Sequence, residues 1–216
     1  MKKLLIYLII ILAVVVFVPL PGPKRDPTPG FDTGEMAIPA DFFWGAGTSS
    51  HQVEGNTDNQ MTAWEMANAQ RLAQEAEAKL KGIVPDWPSI APEATNPANY
   101  ISGAATEHYE RYKRDIALMK ELGLTAYRFS IEWSRIEPQD DQFDETQIRH
   151  YQEVIAELRR QGIEPFVVLW HRSQPRWLNA QGEWENPETI QDYLEFVEVL
   201  INASGLDVKY WLTFNE

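Results

Sequence analysis

Three times along the chain an amphipathic segment runs into a glycine and then almost at once into an apolar strand. The joints are Gly123 before residues 125–131, Gly162 before 165–170, and Gly205 before 208–214. Glycine just past a helix relieves the left-handed backbone on which helices commonly end. The joints lie 39 and 43 residues apart, and the strands are apolar on both faces. That combination fits helix–strand units in series, building a parallel sheet covered by helices, and not a solenoid.

The intervening segments carry helical stripes. Residues 107–122 align Tyr109, Tyr112, Ile116 and Met119, and residues 145–160 align Ile148, Tyr151, Ile155 and Leu158 behind an expected Asp144 N-cap. A third helix is expected to start at Asn186 as cap with Pro187 in its first turn. Its stripe is Ile190, Tyr193 or Leu194, Val197, and Leu200 or Ile201. An earlier strand is expected over 42–48, a polar helix over 63–81, and a loop over 85–97, where four prolines fall. Four strands with three long covering helices leave two open edges. A (β/α)8 TIM barrel takes roughly 250 residues, whereas 41–216 holds 176. The expectation is an α/β chain with the first four strands of such a barrel, truncated at its C-terminal side.

Composition narrows the function. A net charge of −13 argues against nucleic-acid binding, which needs a basic face. There is no cysteine, hence no disulfide or thiol nucleophile. No phosphate loop, metal cluster or nucleotide fingerprint is present, so no cofactor is expected. Lys2 and Lys3 precede an apolar run over 4–18 that continues weakly to Leu20. As a helix this run spans about 25 Å, slightly short for a hydrocarbon core of about 30 Å. No small-residue cleavage site follows it, so an uncleaved membrane anchor over 1–20 is favoured over a signal peptide cleaved on secretion. Residues 21–40 read as a Pro/Gly-rich linker and 41–216 as the barrel half.

In a barrel the chemistry gathers at the C-terminal ends of strands. Here the strands run into Ser49–Gly55, into Ser130-Ile131-Glu132-Trp133, into Trp170-His171, and into Asn215-Glu216. These segments, with Phe43-Trp44-Gly45-Ala46-Gly47 ahead of the first, His108–Asp115 on the first long helix, residues 127–138, and Trp211–Glu216 at the end, resemble the β-glycosidases of glycoside hydrolase family 1. The resemblance covers essentially all of 41–216.

It implies a retaining β-glycosidase, β-glucosidase-like, that cleaves terminal β-linked sugars by double displacement. Glu216 then matches the general acid/base. Asn215 matches the residue that bonds the sugar 2-hydroxyl, and Gln52 and His171 match partners of other sugar hydroxyls. Arg128 matches the arginine that supports the nucleophile. Trp133 matches a tryptophan that is either near the pocket or structural. The chemistry fits those residue types: retaining hydrolysis needs two carboxyl groups about 5–5.5 Å apart, one protonated and one ionised. Two departures stand out. Arg172 follows His171 where the family carries an aromatic, which makes a charged aglycone or acidic substrate conceivable. The family's nucleophile lies on strand seven, so these 216 residues alone are expected not to turn over. Two rival readings are a non-catalytic, carbohydrate-binding or self-associating half-barrel on a membrane, and a cellulase-like barrel with an Asn-Glu acid. The segments around Gln52 and Arg128 fit the latter less well.

Overall fold

Helices end where the glycines stand: Gly123, Gly162 and Gly205 take φ of 76°, 72° and 95°, and a strand follows each. A computed structural model describes residues 38–203 and 205–216. Residues 42–216 form one compact unit. In chain order its elements are β1 (Gly45–Gly47), α1 (Ser50–Val53), α2 (Gln60–Leu80), α3 (Trp87–Ala94), α4 (His108–Glu121), β2 (Ala126–Ser130), α5 (Trp133–Ile136), α6 (Glu145–Arg160), β3 (Glu164–Trp170), α7 (Arg176–Ala180), α8 (Thr189–Asn202) and β4 (Tyr210–Phe214). The four strands form one sheet in sequence order, and every pair is parallel. Gly47 lies opposite Arg128, Arg128 opposite Phe166, and Phe166 opposite Tyr210.

The stripe of α6 is buried as its spacing requires: Ile148, Tyr151, Ile155 and Leu158 all enter the core, joined by Val154. Asp144 caps it, accepting from the Thr146 N–H. On α4, Tyr112 and Ile116 are buried. Both helices pack with Tyr127, Phe129, Val167 and Leu169 of the sheet in one core, which continues to Phe196 and Leu200 of α8. Trp133 is fully enclosed and stacks on Phe196, ring centroids 4.8 Å apart; its place is structural.

Three expectations change. The proline segment is not a loop: α3 occupies Trp87–Ala94, and a 3-10 turn follows over Pro97–Tyr100. Pro88 falls in the first turn, where the missing N–H has no helical acceptor to lose. Pro92 removes one bond near the end of a helix that stops two residues later, while Trp87 anchors it by burial. The third long helix begins at Thr189, because Asn186–Glu188 form a turn first, with Asn186 Oδ1 accepting from the Glu188 N–H. Its buried face is Tyr193, Phe196 and Leu200, leaving Ile190, Leu194 and Ile201 exposed. The aromatic pair decides that register, since Tyr193 reaches Trp133, Trp184 and Phe214. β1 covers only the middle of 42–48, and Phe42, Phe43 and Trp44 are exposed on the sheet's edge. The apolar run over 4–20 and the linker up to residue 37 lie outside the described residues. Among the described residues no helix is long and apolar enough to cross a membrane.

The tightest backbone approach is at Gly55, which has φ of 79° and would place a Cβ 2.0 Å from the Ala104 carbonyl oxygen. Gly55→Ala therefore adds a backbone clash to left-handed strain. It is expected to cost on the order of 3 kcal/mol in urea unfolding, against about 1 kcal/mol for Gly123→Ala. The Gly123 site has nothing within 4 Å of such a Cβ and φ of 76°, so it reads the strain alone.

Candidate active site

Beneath the strand ends lies a buried polar layer. Glu132, just past β2, is fully enclosed. Its Oε2 accepts from the Ser50 and Ser173 hydroxyls at 2.8 and 2.9 Å, and its Oε1 accepts from Ser134 at 2.8 Å. Those serines follow β1, β3 and β2, so one carboxylate gathers three strand ends. Ser130 Oγ accepts from the Ser50 N–H at 2.8 Å. The Glu132 N–H donates to the Tyr151 hydroxyl, which donates on to Glu54 Oε1 at 2.9 Å. Arg135 closes the layer, donating from Nε to Glu54 Oε2 at 2.8 Å and from Nη2 to the Gly55 carbonyl. Burial pushes the Glu54 carboxyl up to about 7 against the pull of Arg135.

Above this layer four expected site residues meet. Arg128 points from β2 across β1, where a Cβ on Gly47 would lie 2.9 Å from its Nε; the glycine leaves the guanidinium its path. Arg128 Nη1 donates to Asn215 Oδ1 at 2.6 Å. With that oxygen taken, the Asn215 amide nitrogen faces His171 Nε2 at 3.0 Å and donates to it. The imidazole proton then belongs on Nδ1, which is buried and meets no partner. Glu216 Oε2 lies 3.8 Å from His171 Nε2 and 3.6 Å from Arg172 Nη1. The Asn215 N–H donates to the Trp170 carbonyl, tying the end of β4 to that of β3. Burial holds the His171 imidazole below its ordinary range; Glu216 opposes this, and Arg128 and Arg172 add to it.

Gln52 stands apart from this group, exposed on α1 after β1. Its neighbour His51 is buried and bound to Glu65 Oε1 at 2.9 Å, which fixes α1 to α2. Sequence reasoning gave no role to Glu132, Glu54, Arg135 or Gln60. Their signal was weak, because charged and amide side chains are ordinarily expected outside. Gln60 clamps the loop after β3, its Nε2 donating to the Arg172 carbonyl at 2.6 Å and its Oε1 accepting from the Gln174 N–H at 2.8 Å. A cavity of about 320 Å³ over the sheet is lined by Phe43, Gly45, Gly47, Arg128 and Phe166. A larger one, about 620 Å³, is lined by residues such as Ile148 and Val199 and touches none of these groups. Glu137, Asp140 and Asp141 bring carboxylate oxygens within 4.8 Å of one another. Burial pushes Glu137 up to about 7, although it accepts from Trp133 Nε1 and the Asp141 N–H.

The sequence pattern of glycosyl hydrolase family 1 matches residues 35–216. Beta-glucosidase 1B of Phanerodontia chrysosporium is 35% identical over 184 residues, which are 83% of this chain and 31% of that protein. Beta-glucosidase A of Acetivibrio thermocellus is 32% identical over 184 residues, 84% of this chain and 37% of that one. The solved beta-glycosidase from Pyrococcus horikoshii superposes with a TM-score of 0.63 at 35% identity, covering 83% of this chain and 36% of its own. The chain thus spans about a third of the length of these relatives, and its parallel sheet is the first four strands of their barrel.

Two outcomes are expected from these electrostatics. In a proton-detected titration His171 loses its charge below the ordinary imidazole pKa of about 6.5, and Glu216→Gln, which removes the opposing carboxylate, moves it lower still. Glu137 is raised in the folded state, so its stabilising contribution is complete below about pH 4.5 and is lost as pH rises through about 7. Glu137→Gln should therefore raise urea stability at pH 8 by on the order of 2 kcal/mol relative to the unmutated chain, with the gain vanishing at pH 4.

Proposed function

The chain belongs to glycosyl hydrolase family 1, and from that membership we propose that this strand-end face is the acid/base side of a retaining β-glycosidase acting on terminal β-linked sugars. The observation that carries the reading is the placement of Glu216. It ends the segment after β4, with His171 on one side and Arg128-bound Asn215 beside it.

In this proposal Glu216 protonates the leaving-group oxygen as the glycosidic bond breaks, then takes a proton from the water that releases the sugar. Asn215 is already oriented by Arg128 and needs little reorganisation to meet a sugar hydroxyl. His171, neutral and with its proton on Nδ1, and Gln52, free in solvent, read further hydroxyls. A sugar lacking the hydroxyl that meets His171 leaves that buried imidazole unsatisfied, which is the source of selectivity. Arg128 also supports an ionised nucleophile. Double displacement requires that second carboxylate, so the proposal includes a further barrel half that supplies it and no turnover by the 216 residues alone. It also includes attachment to a membrane through residues 4–20, carried by the apolar run there; recovery of the chain in the alkaline-washed membrane fraction tests this, and recovery in the soluble fraction with a shortened N-terminus favours secretion.

The exposed aromatics Phe43, Trp44 and Phe214 at the two sheet edges support one second reading, a self-associating half-barrel that binds carbohydrate without cleaving it. A monomeric elution on size exclusion removes it. For the glycosidase, Glu216→Gln in a barrel completed by its second half should lower kcat/KM on alkyl β-glucosides by about 10²–10⁴. On dinitrophenyl β-glucosides, whose leaving group needs no proton, bond cleavage should be nearly unchanged. Equal loss on both substrates removes Glu216 as the acid, and an unmutated barrel inert on every β-glycoside removes the activity.

A further inference from the structure

The run from His171 to Pro175 after β3 is buried at every position but one. His171, Ser173 and Gln174 are at most 7% exposed, while the Arg172 side chain is 64% exposed. Arg172 also has φ of 62°, a left-handed conformation that a non-glycine residue holds only when its surroundings enforce it. Gln60 enforces it, bonding the Arg172 carbonyl at 2.6 Å and the Gln174 N–H at 2.8 Å with one amide. Ser173 is pinned from below by Glu132. The strained backbone holds the guanidinium over the strand-end face, 3.6 Å from Glu216 Oε2.

Arg128, the cation that reaches this face from β2, is held by Asn215 at 2.6 Å. The contact of Arg172 with Glu216 is longer than a hydrogen bond, and both side chains are solvated, so it exchanges readily. Under the proposed reaction, Glu216 is the protonated acid when substrate is bound. In that state it offers Arg172 no negative charge, and the guanidinium faces the substrate without its counter-ion. We propose that Arg172 is a specificity residue that binds a carboxylate carried by the substrate, in the planar two-donor geometry that guanidinium offers. The proposal rests on the glycosidase reading for its substrate class. The carboxylate can belong to the sugar or to the aglycone.

The test is equilibrium binding to the whole chain, by calorimetry, of two matched pairs. Phenyl β-glucuronide against phenyl β-glucoside places the carboxylate on the sugar; 4-carboxyphenyl β-glucoside against its neutral 4-carbamoyl analogue places it on the aglycone. In one pair the anionic member should bind about fivefold to tenfold tighter at low salt, with most of the difference gone near 0.5 M salt. Arg172→Met, which keeps the length of the side chain, should abolish the preference, and Arg172→Lys should keep part of it. Unchanged near-ultraviolet circular dichroism shows that each variant is folded. Equal binding within both pairs, no measurable binding of either anionic ligand, or a preference that survives Arg172→Met overturns the proposal. An anion preference in a completed barrel that cleaves nothing leaves Arg172 standing and sinks the glycosidase. Cleavage of neutral glucosides with no anion preference does the reverse.

Discussion

One enclosed carboxylate holds the strand ends in register. Glu132 has no contact with solvent, and its two oxygens accept from Ser50, Ser134 and Ser173, which follow three different strands. A carboxylate is costly to bury unless its lone pairs are met. Here they are met only if all three loops stand where they do. The interaction is thus a condition on geometry more than a source of net stability. Losing any one serine leaves an acceptor short inside the protein, and losing Glu132 leaves three hydroxyls competing for nothing.

The candidate site inherits that geometry. His171 is two residues from Ser173, and Ser173 is held by Glu132. Arg128 is two residues before Ser130, whose hydroxyl accepts from the Ser50 N–H. The Arg128–Asn215–His171 chain therefore stands on a frame that the serines and Glu132 fix from beneath, with the layer of Glu54, Arg135 and Tyr151 below it again. Ordered side chains of this kind need little rearrangement when a substrate arrives, which is what makes them useful to catalysis.

Much of the fold was legible because the signals were local. The Gly123, Gly162 and Gly205 joints mark helix ends whatever surrounds them, and α6 carries its stripe on one face only. Where two faces compete, local reading fails. Residues 190–201 hold Ile190, Leu194, Val197 and Ile201 at helical spacing, and Tyr193, Phe196 and Leu200 at the same spacing. What selects the second set is an aromatic cluster with Trp133, Trp184 and Phe214, residues distant in the chain. The prolines over 85–97 misled in another way, since Pro88 sits in the first turn of α3, where proline costs least, and Pro92 removes one bond from a helix that ends two residues later. At the site, the motif identified Arg128, His171, Asn215 and Glu216 as neighbours. It gave no sign of the clamp from Gln60, which reaches a loop 112 residues away.

The arrangement of protons around His171 has a consequence for what can act on Glu216. Arg128 is a donor only, so the atom of Asn215 facing it at 2.6 Å is the carbonyl oxygen. The amide nitrogen is then left to face His171 Nε2, which must accept and carry no proton. The imidazole cannot also donate to Glu216 from that nitrogen, and the 3.8 Å separation agrees. His171 is thus a poor source of protons or positive charge for the carboxylate, the more so because burial keeps it neutral. The cation that does face Glu216 is Arg172, on a backbone whose strain is maintained by a dedicated clamp. The positive charge that faces this carboxylate thus stands on the exposed side of the site, where a substrate can compete for it.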